Sequence, residues 1–218
     1  MDPNDASKVI IGSPESVAAL ATERSMVSEG IAPQGVANYR EYESEVTFSL
    51  HGDAVFCRHW PGLYWLSSDP NSPNSKVKPG QVGVSPLPVA DGQHRTASCL
   101  GGDVLLINAF SEMKEEAWEF IRFFANEQSQ KTRALEAGVL PTRKALYHDR
   151  EVMEALPMIA GAKEALLNAR PRPVSRYYSE MSRAMALQFN NVLRGNATPE
   201  EAVETLQSGL QQIIERGE

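Results

Sequence analysis

The sequence predicts a helix-rich α/β fold, and three observations support this prediction. Short apolar runs bounded by glycine, proline or polar residues predict strands, of which residues 104–107 are the clearest. Longer segments with apolar residues at helical spacing and suitable capping residues predict several helices. The 218 residues are 42% hydrophobic and 22% charged, which is ordinary for a globular protein with a sizeable core.

Two helices are predicted within the first fifty residues. Ser13 is a good N-cap and Pro14 a good first residue for a helix over residues 14–29. A second helix is predicted over residues 40–50. A short buried strand is predicted to follow over residues 54–58, because an apolar run begins there after a Gly-Asp pair.

The middle of the chain is predicted to alternate between loop, strand and helix. Residues 67–80 are rich in Ser, Asn, Asp and Pro, which predict a surface loop. Strands are predicted at residues 82–84 and 104–107. Ser111 is expected to cap a helix around Trp118, whose apolar residues fall on one face. That face needs a partner sheet to cover it.

Beyond Pro141 the sequence predicts an almost entirely helical chain. Short turns to about residue 155 lead into helices over residues 157–169 and 175–193. The last helix follows Thr198, because Thr-Pro-Glu-Glu is a capping box with proline at the first helical position.

The bulk properties argue against several classes of function. A formal net charge of -7 argues against nucleic-acid binding, which needs an excess of Lys and Arg on one face. The longest aliphatic run is far shorter than the roughly 20 residues that span a bilayer, and the polar first residues predict no export signal in this chain. Cys57 and Cys99 have no metal-ligand spacing with the histidines, so no metal site is expected. Two separate thiols and a disulfide both stay open for them.

No arrangement of residues typical of catalysis is found in the sequence. It contains no glycine-rich phosphate loop, no His-Glu-x-x-His motif and no nucleophile elbow. Candidate carboxylate pairs for glycoside hydrolysis have no support beyond chance. The sequence therefore predicts a binding protein without a cofactor rather than an enzyme.

The order of segments between residues 82 and 142 carries a family resemblance. The segments are, in order, Val84-Ser85-Pro86-Leu87-Pro88, Gly101-Gly102, the 104–107 strand, the Trp118 helix and Gly138-Val139-Leu140-Pro141-Thr142. This order resembles the carboxy-terminal half of the bacterial extracellular solute-binding proteins of ABC transporters, of the sugar, maltose or trehalose type. The resemblance implies a type II periplasmic-binding-protein-like fold, present here as a truncated carboxy-terminal lobe with a returning segment of the amino-terminal lobe.

The resemblance also implies how the chain is divided and where the complete protein bends. Residues 1–85 would be the first part of the carboxy-terminal lobe, 86–140 the returning segment, and 141–218 the helical remainder of the carboxy-terminal lobe. The implied hinge residues are Leu87, Pro88, Leu140 and Pro141. The full-length parent is expected in the periplasm or outside the cell, free or anchored as a lipoprotein.

The implied ligand is a sugar, most simply a di- or oligosaccharide. Trp60 is the best candidate for stacking on a sugar ring, although a core position is its alternative, and Tyr64 is a weaker candidate. Gly102 would let the backbone approach the ligand, and Asp103 stands where similar proteins have an aromatic residue. Arg172 matches the position from which a guanidinium reaches the sugar, with a solvated basic rim as its alternative.

Partners and alternatives follow from the same resemblance. The full-length protein would deliver its sugar to an ABC permease. A charged solute such as a phosphorylated polyol is the second reading, suggested by Arg58, Arg170, Arg172 and Arg176. A fragment that only makes protein interactions is the third. Because the 104–107 strand and the Trp118 helix lack their expected sheet, the chain is also expected to form a homo-oligomer.

Overall fold

The computed structural model describes residues 5, 7–68, 75–78, 80–89 and 98–216. These residues form α-helices, with no strand ladder among them. The helices are α1 (Pro14–Ser28), α2 (Glu41–Glu45), α3 (Gly62–Ser68), α4 (Lys114–Ala125), α5 (Glu127–Ala137), α6 (Arg150–Ala155), α7 (Ile159–Leu167), α8 (Tyr178–Arg194) and α9 (Pro199–Glu215). A π-helix, Val46–His51, continues α2, and 3₁₀ turns cover Gln34–Asn38 and Lys144–His148.

The chain divides into two compact units. The first unit consists of Met1–Arg40 and Arg172–Glu218, and the second consists of Glu41–Pro171. The first unit therefore contains α1, α8 and α9, whereas the second contains α2 to α7.

In the first unit, α9 packs on α8 and α1, and its beginning is fixed by local hydrogen bonds. The backbone N–H of Glu201 donates to Thr198 Oγ1 at 3.2 Å, and the N–H of Thr198 donates to Glu201 Oε2 at 2.9 Å. The capping box predicted from the sequence is confirmed. The apolar stripe of the helix is buried at Ala202, Val203, Leu206, Leu210, Ile213 and Ile214.

Two glutamines of α9 attach the residues that precede α1. Gln207 Nε2 donates to the carbonyl oxygen of Val9 at 3.0 Å, and Gln207 Oε1 accepts from the N–H of Gly12 at 2.8 Å. Gln211 Oε1 accepts from the N–H of Val9 at 3.3 Å. These bonds occupy backbone groups that no sheet satisfies, and they place Val9 in the core with Leu206 and Leu210.

The core of the second unit forms where α5 meets the residues that follow it. Its largest fully buried side chains are Leu146, Leu156 and Val152, and Tyr64 and Trp65 pack against this core. Gly138 caps α5 with a φ of 63°, and a Cβ atom there would lie 2.5 Å from Cβ of Trp65. Only glycine therefore fits this close approach.

The apolar face of α4 is not covered. None of the residues of α4, all of which the structure describes, is buried. Trp118 is 50% exposed and Phe123 65% exposed, and Val104 and Leu106, which precede the helix, are 78% and 86% exposed. The structure agrees with the expectation that this part of the chain lacks its sheet.

The predicted strands need correction. Residues 54–58 were expected to form a buried strand, but Val55 and Phe56 are 85% and 91% exposed. Residues 82–84 and 104–107 have no regular secondary structure and join no ladder. The reason is that a strand needs a neighbour to satisfy its backbone groups, and the described residues supply only an isolated parallel bridge between Cys99 and Arg170.

The helices also differ from the prediction in several places. Ser111 does not cap α4, which begins later, at Lys114; its Oγ instead accepts from the N–H of Met113 at 3.1 Å. Helix α5 was not predicted, although Asn126 caps it by accepting from Ser129 N–H. Helix α3 occupies the start of the predicted 67–80 loop, of which residues 69–74 and 79 lie outside the described residues.

Candidate functional site

The indole ring of Trp60 lies against the backbone of Gly101 and is partly open to solvent. Trp60 is 45% exposed, and its carbonyl oxygen accepts from Leu63 N–H at 3.0 Å as α3 begins. A Cβ atom on Gly101 would lie 2.5 Å from Cη2 of Trp60, which is too close for any side chain to fit. The first glycine of the Gly-Gly pair therefore makes room for the ring.

The opposite edge of the indole ring reaches the beginning of α2. Trp60 Nε1 donates to Glu41 Oε1 at 3.3 Å, and His59 Nε2 lies 3.1 Å from the Glu41 carbonyl oxygen. Glu41 was not among the predicted site residues. It lies 19 positions before Trp60, and no motif in the sequence links the two.

Gly102 and Asp103 continue directly from the residue that supports the ring. Gly102 has a φ of 157° with no neighbouring atom near its missing Cβ, so its backbone conformation is the reason for glycine there. Asp103 is exposed. The backbone N–H and carbonyl groups of Gly102 and the carboxylate of Asp103 directly follow the Trp60 contact in sequence.

A parallel bridge brings Arg170 beside the residues that lead into the Gly-Gly pair. The N–H of Leu100 donates to the Arg170 carbonyl oxygen and the N–H of Arg170 donates to the Ser98 carbonyl oxygen, both at 2.8 Å. The structure thus joins three segments that are far apart in sequence, around Trp60, Gly101 and Arg170. Each of them contains or adjoins a predicted site residue.

Two predicted site residues lie outside this cluster. Tyr64 is half-buried and packs against the core of the second unit. Arg172 is exposed and is the first residue of the carboxy-terminal part of the first unit, two positions beyond Arg170. Their ligand-binding roles stay predictions.

The second predicted hinge segment is firmly attached to α5. Leu140 packs on the core, and Pro141 is buried. Gln130 is 5% exposed and links this segment to the end of α4. Its Oε1 accepts from Thr142 N–H at 2.8 Å, while its Nε2 donates to the Ala125 carbonyl oxygen at the end of α4 at 2.8 Å.

The first predicted hinge segment has fewer attachments. Val84 packs on the core, and its carbonyl oxygen would lie 2.5 Å from a Cβ atom on Gly161. Further along, Leu87 is half-buried and Pro88 is exposed. The hinge roles of these residues stay predictions.

Within the described residues, the two cysteines form no disulfide, and no cluster of side chains suits a metal ion. Cys57 and Cys99 are free thiols. Burial raises the pKa of Cys57, which disfavours its reactive thiolate form. Across the described ranges, no group of three or more His, Cys, Asp or Glu side chains has the arrangement of a metal site. Within those ranges no helix combines the length and apolar character needed to cross a membrane.

Solved structures identify the class of protein to which this fold belongs. The maltose-bound MalE3 of T. maritima superposes with a TM-score of 0.86 and 38% identity, covering 94% of this chain and 52% of that one. A solute-binding protein of an ABC transporter from Agrobacterium radiobacter K84, in complex with ribitol, superposes with a TM-score of 0.82 and 27% identity, covering 98% and 52%. The helix-rich α/β fold of periplasmic-binding-protein type is confirmed.

Sequence comparison identifies the family. Residues 7–160 match the model of the bacterial extracellular solute-binding proteins, and this chain belongs to that family. It is also 31% identical over 220 residues to a probable ABC transporter-binding protein of Deinococcus radiodurans, with coverage of 100% of this chain and 50% of that protein. The predicted family and the prediction of a binding protein rather than an enzyme are both confirmed. The chain spans about half the length of the relatives it matches.

Proposed function

We propose that this chain forms part of the solute-binding component of an ABC importer and that its ligand is a di- or oligosaccharide. The observation that carries this proposal is the partly exposed ring of Trp60, held against Gly101 beside the unusual backbone of Gly102. A flat ring, with the polar groups of Gly102 and Asp103 following its contact residue in the chain, suits a sugar, which has apolar ring faces and hydroxyls at its edge.

The proposed contacts divide between apolar and polar groups. Trp60 stacks on the sugar ring, Gly102 offers backbone groups, and Asp103 accepts hydrogen bonds from hydroxyls. Arg172 donates from its planar guanidinium to two neighbouring oxygens. Tyr64 contributes only if its half-buried ring turns from the core. The maltose and the ribitol bound to the two structural neighbours support a ligand of this class.

Calorimetric titration with maltose and longer oligosaccharides tests this proposal. Trp60→Ala should weaken binding about fivefold or more, because the stacking of a base on an aromatic side chain contributes about 1–3 kcal/mol and each 1.4 kcal/mol is a factor of ten. Trp118→Ala is the matched control, since Trp118 is also about half exposed, at 50%, but lies on α4. Equal losses in the two variants, or none in either, would count against a site at Trp60.

The second candidate ligand is a charged solute such as a phosphorylated polyol. Arg170 itself forms the bridge to the segment before the Gly-Gly pair, Arg172 follows it by two residues, and Arg58 precedes Trp60 by two residues. A guanidinium binds phosphate with a fixed two-point geometry. Ribitol and ribitol phosphate titrated at low and high salt distinguish the candidates, because only the anionic ligand loses affinity as salt screens the charges.

In the complete protein we place this site in a cleft between two lobes. The carboxy-terminal lobe comprises residues 1–85 and 141–218, and residues 86–140 return to the other lobe. Closure bends the chain at Leu87, Pro88, Leu140 and Pro141, and the closed form docks on the ABC permease. This places the protein in the periplasm or at the outer surface of the cell, as the extracellular family implies.

The exposed apolar residues of α4 support the prediction of a homo-oligomer. Phe120 and Phe123 are 56% and 65% exposed, and such surfaces drive association unless another part of the protein covers them. Light scattering tests this: the chain should form dimers or larger species, and Phe120→Glu with Phe123→Glu should shift it toward the monomer. A compact wild-type monomer at high concentration would refute self-association.

A further inference from the structure

We infer that Glu41 and Gly101 together position the ring of Trp60, so that Glu41 is a positioning residue for solute binding and Gly101 determines how deep the ring sits. This inference rests on the proposed role of Trp60 as the stacking residue. The two residues contact opposite edges of the same indole ring, and neither touches the ligand in this proposal.

The polar edge of the ring is held by a charged acceptor. The indole N–H is a donor with no acceptor capacity of its own, and Glu41 Oε1 lies 3.3 Å from Nε1. Glu41 also contacts His59, because its carbonyl oxygen lies 3.1 Å from His59 Nε2. The first residue of α2 therefore contacts both side chains of the His59-Trp60 pair.

The benzene edge of the ring occupies the space that a side chain on Gly101 would fill. Cη2 and Cζ3 of Trp60 would lie 2.5 and 3.0 Å from a Cβ atom on Gly101. Gly101 has no positive φ that would call for glycine, whereas Gly102 has a φ of 157°. The two positions thus require glycine for different physical reasons. A side chain at Gly101 would collide with the ring, whereas Gly102 has a positive φ.

Holding an indole at both edges leaves one of its faces available to a ligand. Trp60 remains 45% exposed even though its backbone, its N–H and its far edge are all in contact with the protein. A ring that is already fixed loses little rotational freedom when a sugar stacks on it, which favours binding. Loosening either edge should therefore weaken binding without removing the aromatic surface.

The experiment uses the whole chain labelled with 5-fluorotryptophan, whose three ¹⁹F resonances report Trp60, Trp65 and Trp118 separately. Trp60→Phe assigns the Trp60 signal. Glu41→Ala should shift and narrow that signal and raise the dissociation constant for maltose about threefold to tenfold. Glu41→Gln, which keeps an acceptor oxygen, should have a smaller effect, and Gly101→Ala should shift the signal most.

The controls separate this inference from the proposed function. Glu45→Ala removes a carboxylate from the same helix and should leave the Trp60 signal unchanged. The Trp65 and Trp118 signals show that each variant is folded. An unchanged Trp60 signal in folded Glu41→Ala and Gly101→Ala proteins overturns the positioning inference. If neither the wild type nor any variant binds maltose or the other sugars, the proposed ligand is wrong. The ¹⁹F shifts still decide whether Glu41 and Gly101 position the ring.

Discussion

Helices α9 and α4 have comparable amphipathic patterns but opposite surroundings. Six residues of α9 are buried, whereas no residue of α4 is. Both helices contain large apolar side chains at helical spacing, so the pattern alone does not explain the difference. The comparison shows that an amphipathic pattern specifies a helix with a face to be covered, but the partner that covers it must be supplied by another part of the structure.

The two helices are also attached in different ways. Helix α9 is attached along its length, through its apolar stripe, to α8 and α1. Helix α4 is attached mainly at its end, where Gln130, Arg133 and Arg143 donate to the carbonyl oxygens of Phe124 and Ala125. The guanidinium of Arg133 also lies 3.5 Å from the centre of the Phe124 ring. The attachment of α4 is therefore largely polar and confined to one turn.

The largest expected effect tests the comparison directly. Leu206 of α9 is 2% exposed, so Leu206→Ala removes buried apolar surface and leaves a cavity. We expect a loss of about 2–5 kcal/mol in the free energy of unfolding, measured by urea denaturation. At protein concentrations low enough to dissociate any oligomer, Phe123→Ala removes a larger side chain from α4 but should change stability by no more than about 0.5 kcal/mol. A similar cost at both positions would show that α4 is covered in solution.

The second prediction compares the glycines that end two helices, one in each unit. Gly138 ends α5 and Gly195 ends α8, with φ values of 63° and 77°. Gly138→Ala should cost about 2–4 kcal/mol, because it adds a clash with Trp65 to the strain of a left-handed backbone.

Gly195→Ala is the matched variant. A Cβ atom there would approach the Arg24 guanidinium at 2.8 Å, and a flexible side-chain end of that kind moves aside. Gly195→Ala should lower the free energy of unfolding only by the strain of a left-handed backbone, about 1–2 kcal/mol. Equal losses of thermal stability in the two alanine variants would mean that the Trp65 side chain moves away from the added methyl group as readily as Arg24 does.

The third prediction tests the polar attachment of α4. Gln130→Ala should cost about 1–3 kcal/mol, because it removes a buried amide that donates to the Ala125 carbonyl oxygen and accepts from the N–H of Thr142. Hydrogen exchange should increase at the end of α4 and around Pro141 more than in α9. Gln128→Ala, an exposed change on the same helix, is the control. Unaltered exchange in α4 after loss of Gln130 would contradict this attachment.

The smallest expected effect concerns how the two helices begin. The backbone N–H of Thr198, and then its side chain, hold the pKa of Glu201 below its ordinary value. A pKa lowered by folding contributes stability at neutral pH, and this contribution is lost as pH falls below about 4. Glu201→Gln should thus lower the melting temperature slightly at pH 7, and the difference from wild type should vanish in acid.

Helix α4 provides the contrast for this pH effect, because it begins at Lys114 and its N-cap residue, Met113, makes no side-chain cap. Hydrogen exchange in its first turn should not change when Glu201 is replaced. A difference between wild type and Glu201→Gln that stays constant from pH 7 to pH 3 would show that the charge of Glu201 is not involved.

Features that depend on neighbouring residues in sequence were predictable. Ser13 and Pro14 specify the start of α1, and Thr198 specifies the start of α9, because a cap needs only the three residues that follow it. The order of the segments also indicated the family correctly. Helix α5 was missed because its composition is mostly polar, so its pattern is weak although Asn126 is a good cap.

Features that depend on distant residues were predictable only in part. Trp60 stood out as a candidate because its Trp-Pro segment resembles the one that supplies a stacking aromatic in sugar-binding members of the family. Glu41 and Gly101 did not, since their roles arise from contacts across 19 and 41 positions. The predicted strands had suitable composition, yet a strand exists only where a second backbone accepts its hydrogen bonds. Among the described residues, 54–58 have no such neighbour, and Val55 and Phe56 are exposed.

The sequence by itself determined the capped helices, the family and the residue types suited to a solute site, because each of these is encoded locally or in the order of segments. Only the tertiary structure decided that the ring of Trp60 lies between Glu41 and Gly101, that Gln130 joins the end of α4 to Pro141, and that the face of α4 is left uncovered. Packing and hydrogen bonding between distant segments depend on which surfaces meet, and an apolar pattern does not contain that information.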